Sequence, residues 1–267
     1  MHIAAIAMDL DDTLLRDDRT ISDYTLQVLR RAAAAGIHII PSSGRMKESM
    51  FRYVKQLDCT SAFVAANGAE IYHPDGSLIE QAKLDLPLLY ECIDFARQWD
   101  VYGQTYYGET FYYDVRSQWS EAYAKNTQLV PCYVEDLRAF VHAPSPKFLV
   151  MADEDTIAKM LAEANERFAG RASCTCSKTT FLEINPLGAT KGLALEKVSK
   201  HLGFAMEDLL AFGDGLNDAS MIEMAGCGVC MANGQEAIKA IADKICGPNT
   251  EDGVARFVEE YLEESGR

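Results

Sequence analysis

Apolar residues run without a break from Ile3 to Met8, and acids follow at once at Asp9, Asp11 and Asp12. A short continuous apolar run with polar flanks reads as a strand buried on both faces. Ser22 to Ala35 reads as a helix, with Ser22 placed to cap it, Asp23 in its first turn and Gly36 to end it. Ile37 to Ile40 is a second buried strand and runs into Pro41-Ser42-Ser43-Gly44-Arg45. A helix from about Met46 to Leu57 follows, then a third strand, Phe63 to Ala66, ending in Asn67-Gly68-Ala69. Strands alternating with helices predict a parallel sheet wound by right-handed crossovers.

The texture changes after about Lys83. Tyr102 to Tyr113 is aromatic and broken by glycine, which predicts a hairpin of half-exposed strands. Phe148 to Met151, Ala172 to Cys176 and Phe181 to Ile184 read as strands, and Asp153 to Phe168 as an amphipathic helix. From about Gly188 the first texture returns, with a helix over Thr190 to Leu202 and a buried strand over Leu209 to Phe212 that ends in Gly213-Asp214-Gly215-Leu216-Asn217-Asp218. A short strand (Gly228 to Met231) and helices near Gln235 to Ala242 and Gly253 to Glu263 close the chain. The expected fold class is therefore α/β, a Rossmann-like doubly wound parallel-sheet core with an inserted α+β cap domain. Residues 1–82 and 189–267 would form the core and 83–188 the cap.

Composition narrows the partners. The 267 residues carry a net charge of −15, and a surface of that sign repels nucleic acid. An anionic substrate would need a local positive site. Of the eight cysteines, Cys227 and Cys230 have the spacing of half a zinc site, but no second pair stands at metal spacing. Reduced, structural cysteines are the expectation. The N-terminal run is too short and lacks the basic flank of a signal peptide, and no stretch approaches the length of a membrane span. The expectation is a cytoplasmic protein with no membrane partner.

Ligands of open parallel sheets bind beyond the carboxyl ends of the strands. Asp9-Leu10-Asp11, Ser43-Gly44-Arg45, Asn67-Gly68 and Gly213-Asp214 all fall at such ends, and Lys191 opens a helix that can point to the same edge. Carboxylates suit a hard cation such as Mg²⁺, which keeps waters and substrate oxygens in its shell. Asp9, Asp11 and Asp214 with Lys191 and the Ser43 hydroxyl form a set suited to phosphoryl transfer, where positioning and charge stabilisation dominate. Each residue also has an ordinary reading: acids after a strand cap helices, and a lone lysine is usually solvated.

Taken in order, Asp9-Leu10-Asp11-Asp12-Thr13-Leu14-Leu15, Ser42-Ser43-Gly44-Arg45, Thr190-Lys191-Gly192 and Gly213-Asp214-Gly215-Leu216-Asn217-Asp218 resemble the four motifs of the haloacid dehalogenase superfamily phosphatases, in the Cof-type branch with a type IIB cap. Asn67-Gly68-Ala69 and the segment Asn249 to Ala255 resemble that branch too. Two departures stand out: Asp12 where the family often has Gly, and Ser43 where this branch usually has Thr.

The resemblance implies roles. Asp9 would be the nucleophile and Asp11 the acid and base. Mg²⁺ would be held by Asp9, Asp214 and the Asp11 backbone carbonyl. Leu10 N–H, Ser43, Gly44, Lys191 and Asn217 would bind phosphate, with Asp218 supporting the metal waters or Lys191 from behind. Asn67 reads as a turn residue and Arg45 as a structural partner for an acid, so both stay outside the expected site. Aromatics of Tyr102–Tyr113 and Trp119 are candidates to cover the substrate. The expected partner is a small phosphorylated metabolite, a sugar phosphate or phosphorylated cofactor. The rival readings are a phosphosugar mutase, a receiver domain and a non-catalytic phospho-ligand binder. Monomer and homodimer both stay open.

Overall fold

The computed structural model describes residues 2–266. Met1 and Arg267, the outer ends of the two expected core segments, lie outside the described residues. The chain opens with β1 (Ala5–Met8), α1 (Asp23–Ala34), β2 (His38–Pro41), α2 (Lys47–Leu57), β3 (Phe63–Ala65), β4 (Glu70–Tyr72) and β5 (Leu78–Gln81). A second set follows: α3 (Leu86–Gln98), β6 (Tyr102–Tyr107), β7 (Thr110–Tyr113), α4 (Gln118–Thr127), β8 (Val130–Tyr133), α5 (Leu137–Phe140), β9 (Phe148–Met151), α6 (Glu154–Arg167), β10 (Ala172–Lys178) and β11 (Phe181–Pro186). The chain ends with α7 (Lys191–Leu202), β12 (Leu209–Gly213), α8 (Ala219–Met224), β13 (Cys227–Met231), α9 (Glu236–Lys239), β14 (Lys244–Cys246) and α10 (Gly253–Ser265).

The core sheet has the order β14-β13-β12-β1-β2 and is parallel throughout. Alternation along each strand sends Ile6, Met8, Leu210 and Phe212 to one face, against α1, α2 and α10. Ala5, Ala7, Leu209 and Ala211 go to the other, against α7 and α8. Helices on both faces make the sheet doubly wound, as the alternating texture predicts. Ser22 caps α1 by accepting the Thr25 N–H, and Thr190 caps α7 by accepting the Leu193 N–H.

The inserted set forms a six-stranded sheet, β10-β11-β9-β6-β7-β8, antiparallel except for β7 with β8. One face packs on α3 and α6. The other presents Tyr102, Tyr106 and Phe111, which cluster with Tyr123 of α4 and with Met46, Ala66 and Ala69 of the core. The cap sheet therefore lies against the carboxyl edge of the core sheet.

Several elements differ from the pattern-based reading. The Tyr102–Tyr113 hairpin forms, turning at Gly108 with φ +59°. Its first strand is not half-exposed, because β6 lies inside the sheet between β9 and β7 and is buried on both faces. β3 forms no ladder with β2: isolated parallel bridges join Ile39 of β2 to Thr60, before β3, and Ser42, after β2, to Val64 of β3, which pairs antiparallel with β4. The helix expected to reach Ala242 ends at Lys239, where the Ile241 N–H turns to the Ile238 carbonyl. Helices α3, α4 and α5 and strands β4, β5, β8 and β14 have no counterpart in that reading. All eight cysteines are free, with Cys227 and Cys230 buried on β13. Among the described residues no helix is long and apolar enough to cross a membrane.

Candidate active site

The register of three neighbouring strands builds the site. Met8 pairs with Phe212 on one side and Pro41 on the other. The residues just beyond, Asp9, Asp214 and Ser43, therefore leave the sheet side by side. The Asp9 N–H still bonds the Phe212 carbonyl at 3.0 Å, so the nucleophile candidate is fixed to the sheet edge. The chain then coils through Leu10–Leu14, with Asp12 at φ +59°. Glycine adopts that conformation most readily, but Asp tolerates it through local hydrogen bonding, so Asp12 fits at the position where the family often has Gly. Thr13 Oγ1 donates to Asp214 Oδ1 at 2.8 Å and ties the coil to β12.

Lys191 is sealed from solvent and lies between two acids. Its Nζ is 2.6 Å from Asp9 Oδ1 and 2.5 Å from Asp218 Oδ1. Burial lowers the tendency of this ammonium to stay charged, but the two carboxylates outweigh it and raise its pKa. Asp218 Oδ2 accepts the N–H groups of Asp214 at 2.8 Å and Gly215 at 3.0 Å. Both Asp218 oxygens are therefore engaged, which leaves it a supporting place behind the other acids.

Asp9, Asp214 and Asp218 each offer an oxygen within 4.8 Å of the others. Burial pushes the Asp9 and Asp214 carboxyls above the usual carboxylate range, and the charge of Asp218 adds to the rise in both. Asp9 Oδ2 and Asp214 Oδ2 carry no donor among the described residues. Two uncommitted oxygens in a buried, mutually repelling cluster fit a divalent cation, which would relieve that repulsion.

Asp11 lies in a different environment. Arg45 grips it with two bonds, Nε to Oδ2 at 2.6 Å and Nη2 to Oδ1 at 2.8 Å, and Arg19 Nη1 reaches Oδ1 at 2.5 Å. Burial alone would raise this carboxyl, but Arg45 and Arg19 outweigh it and hold it down to about 2. Neither Asp11 oxygen is free of a cation in this arrangement. Arg45 also donates to Ser49 Oγ at 2.7 Å and to the cap's Asn126 carbonyl at 3.2 Å.

Of the remaining expected residues, Ser43, Gly44 and Asn217 line the same cleft, and Leu10 is not on its wall. Ser43 Oγ accepts the Arg45 N–H at 3.2 Å, which leaves the hydroxyl proton to donate. Among the described residues no backbone carbonyl takes the Leu10 or Gly44 N–H. Asn217 Nδ2 donates to Asn67 Oδ1 at 3.1 Å, so Asn67 supports a site residue rather than merely turning the chain. Lys191 and Asp214 lie behind the open cleft, whose wall includes Asp9, Asp11, Ser43, Gly44 and Asn217.

Sequence reasoning missed a buried network from the cap. Lys147, just before β9, places Nζ 2.6 Å from the Gly44 carbonyl and 2.6 Å from Glu183 Oε1 on β11. The other Glu183 oxygen accepts from Asn67 Nδ2. Two opposite charges set in otherwise apolar strands, Lys147-Phe148-Leu149-Val150 and Phe181-Leu182-Glu183-Ile184, were the available signal, since charges so placed are almost always paired. The aromatics of β6 and β7 and Trp119 lie off the cleft; Tyr123 and Phe181 line it.

Residues 6–258 match the haloacid dehalogenase-like hydrolase family. The chain is 33 % identical over 263 residues to the 5-amino-6-(5-phospho-D-ribitylamino)uracil phosphatase YitU of Bacillus subtilis, covering 96 % of this chain and 97 % of that protein. It is 28 % identical to the pyridoxal phosphate phosphatase YbhA of Escherichia coli, covering 98 % of this chain and all of that one (100 %). Among solved structures, a haloacid dehalogenase-like hydrolase from B. subtilis superposes with a TM-score of 0.86 at 27 % identity, over 96 % of this chain and 99 % of that one. The same acids and lysine that the strand register gathers at one sheet edge thus lie in a chain matched almost end to end, and the protein belongs to the haloacid dehalogenase-like hydrolases, in their phosphatase branch.

Proposed function

We propose that the protein is a Mg²⁺-dependent phosphatase that hydrolyses a small phosphomonoester, a sugar phosphate or phosphorylated cofactor, through an aspartyl phosphate on Asp9. The observation that carries this reading is the state of Asp9: buried at the end of β1, one oxygen held by Lys191 and the other uncommitted beside the cleft. A carboxylate fixed through one oxygen presents the other for in-line attack on phosphorus. Ser43, the Leu10 and Gly44 N–H groups and Asn217 would hold the phosphoryl oxygens. Lys191 would balance the charge that builds on Asp9 and the phosphoryl group. Asp11, kept in place by Arg45 but freed of Arg19 and protonated as charge moves in the cleft, would give that proton to the departing oxygen and later take one from the attacking water.

Asp9, Asp214 and the Asp11 carbonyl would hold the Mg²⁺, with Asp218 orienting from behind. When bound, the ion would screen the acids from the substrate dianion and polarise its oxygens. Residues 83–188 would act as the cap that excludes water and selects the leaving group. The names of two relatives, a 5-amino-6-(5-phospho-D-ribitylamino)uracil phosphatase and a pyridoxal phosphate phosphatase, support the substrate class.

The test is phosphate release from acetyl phosphate and from metabolite phosphates. Release should need Mg²⁺, stop on chelation and resume on adding the ion back. Asp9→Asn should abolish it. Turnover by a chelated protein, or by Asp9→Asn, would end this reading. Interconversion of sugar phosphates without free phosphate would point to a mutase.

A further inference from the structure

The proposed phosphatase chemistry uses the floor of the cleft. Its roof, built by the cap, has a different character. Four cationic side chains line the cleft: Arg19, Arg45, Lys147 and Lys178. Three are committed, the arginines to Asp11 and Lys147 to Glu183 and the Gly44 carbonyl. The Lys178 side chain has no hydrogen bond or ion pair among the described residues.

The position of Lys178 is built by an irregular ladder. β10 and β11 pair Cys176 with Leu182 and then Lys178 with Phe181, so Ser177 falls out of register. A bulge of this kind re-aims side chains and is common beside functional sites. Here it brings Ser177, Lys178 and Phe181 together on the cleft wall. Lys178 Nζ stands 5.8 Å from the centre of the Phe181 ring. The ring of Tyr123 is 6.3 Å from that of Phe181.

Tyr123 adds a directed donor. A relay runs through the cap: Tyr102 Oη donates to Gln104 Oε1 at 2.8 Å, Gln104 Nε2 to Tyr106 Oη at 2.6 Å, and Tyr106 Oη to Tyr123 Oη at 2.9 Å. Tyr123 ends the relay as an acceptor, and its own hydroxyl proton has no acceptor among the described residues. The roof thus presents an ammonium standing over an aromatic ring and a phenolic donor, with the neutral polar groups of Asn126, Thr127 and Ser177 beside them.

This inventory discriminates between leaving groups. A polyhydroxyl sugar brings many O–H donors and needs acceptors, usually carboxylates. The carboxylates on the upper cleft wall, Asp11 and Glu183, are both held by cations, so what that wall leaves to a sugar's hydroxyls is neutral: Asn126, Thr127 and Ser177. A planar conjugated ring with an anionic or strongly accepting oxygen matches what is left. Its face can lie on Phe181 and its oxygen can take the charge of Lys178 and the proton of Tyr123.

Resting on the phosphatase reading, we infer that the cap roof is a leaving-group subsite for planar heteroaromatic alcohols bearing an electron-rich ring oxygen, with Lys178, Phe181 and Tyr123 setting the specificity.

The experiment compares kcat/KM for three probes: pyridoxal 5′-phosphate as the ring ester, glucose 6-phosphate as the sugar ester, and acetyl phosphate as an activated acyl phosphate without a ring. The unaltered protein should favour the ring ester over the sugar ester by roughly tenfold or more. In Lys178→Met the ratio of ring ester to acetyl phosphate should fall by about tenfold or more, mainly through KM, and Lys178→Arg should restore most of it. An unmoved ratio in Lys178→Met, or preference for the sugar ester, overturns the inference. Failure of the unaltered protein to hydrolyse acetyl phosphate in Mg²⁺ would instead strike the phosphatase reading beneath it.

Discussion

Replacing Lys147 with Met tests the seam between cap and core. The Lys147 and Glu183 side chains are only 1 % and 3 % exposed, with Nζ and Oε1 2.6 Å apart. The pair holds two core groups, the Gly44 carbonyl and the Asn67 amide. Removing the lysine strands a buried carboxylate with one neutral donor, a loss of about 3–5 kcal/mol for pairs broken in this way. A surface pair calibrates the result. Lys197 and Glu80 are also 2.6 Å apart, but their side chains are 46 % and 50 % exposed. Lys197→Met should therefore cost no more than about 1 kcal/mol. The assay is urea unfolding followed by tryptophan fluorescence, since both tryptophans, Trp99 and Trp119, lie in the cap. The double variant Lys147→Met with Glu183→Leu removes both charges and should recover at least half of the loss, because the stranded charge rather than the missing bond dominates. If Lys147→Met costs no more than Lys197→Met, or if the double variant is worse than either single one, the argument from burial is wrong.

Three further outcomes follow from the geometry. Gly68→Ala should lower stability by about 2 kcal/mol or more in thermal unfolding, since Gly68 has φ +101° and an added Cβ would stand 2.3 Å from the Thr190 carbonyl oxygen. Arg45→Lys keeps the charge but loses the two-bond grip on Asp11, so kcat/KM for phosphate release should fall roughly tenfold. Asp252 resists its burial because Arg16, at 2.5 Å, and Thr25, at 3.2 Å, hold its carboxyl below the usual range. A depressed carboxyl adds stability above its unfolded pKa and loses it as the pH falls through the folded value. Asp252→Asn should therefore cost about 1 kcal/mol at neutral pH, with the difference fading in acid, as read from denaturation midpoints.

The core strands and the site acids were legible in the chain because one rule governs both. A strand buried on both faces is a continuous apolar run, and its polar sequel falls at the sheet edge. Ile3–Met8 with Asp9 and Leu209–Phe212 with Asp214 follow it directly. The cap followed no such rule. Its strand β6 carries Gln104 among aromatics, because the face turned to the core is tied together by a hydrogen-bonded relay within the cap instead of being pure hydrocarbon. Helix α3 was legible in principle: Asp85 caps it and Leu89, Cys92, Ile93 and Ala96 form its buried stripe. Arg45, read as a partner for an acid, does pair with Asp11, but two other cations of the site were not legible. Arg19 reaches Asp11 from a turn at φ +65°, and Lys147 reaches Gly44 across the cap seam. Neither contact has a sequence spacing, since both depend on how distant segments pack.

Those partners also explain how so acidic a chain can receive an anion. The net charge of −15 belongs to the surface as a whole. Around Asp9, the proposed nucleophile, five acids, Asp9, Asp11, Asp12, Asp214 and Asp218, face four cations, Lys191, Arg45, Arg19 and Lys178. The site is thus short of neutrality by a single charge, and a divalent cation between Asp9 and Asp214 would turn it positive by one. A phosphate dianion would then enter a site of opposite sign, enclosed by a low-dielectric wall where that sign counts most. Arg45 matters twice in this balance, because it offsets Asp11 and reaches Asn126 of the cap. The cation that restrains the acid is also a contact between core and cap, so the state of Asp11 and the seat of the cap depend on one side chain.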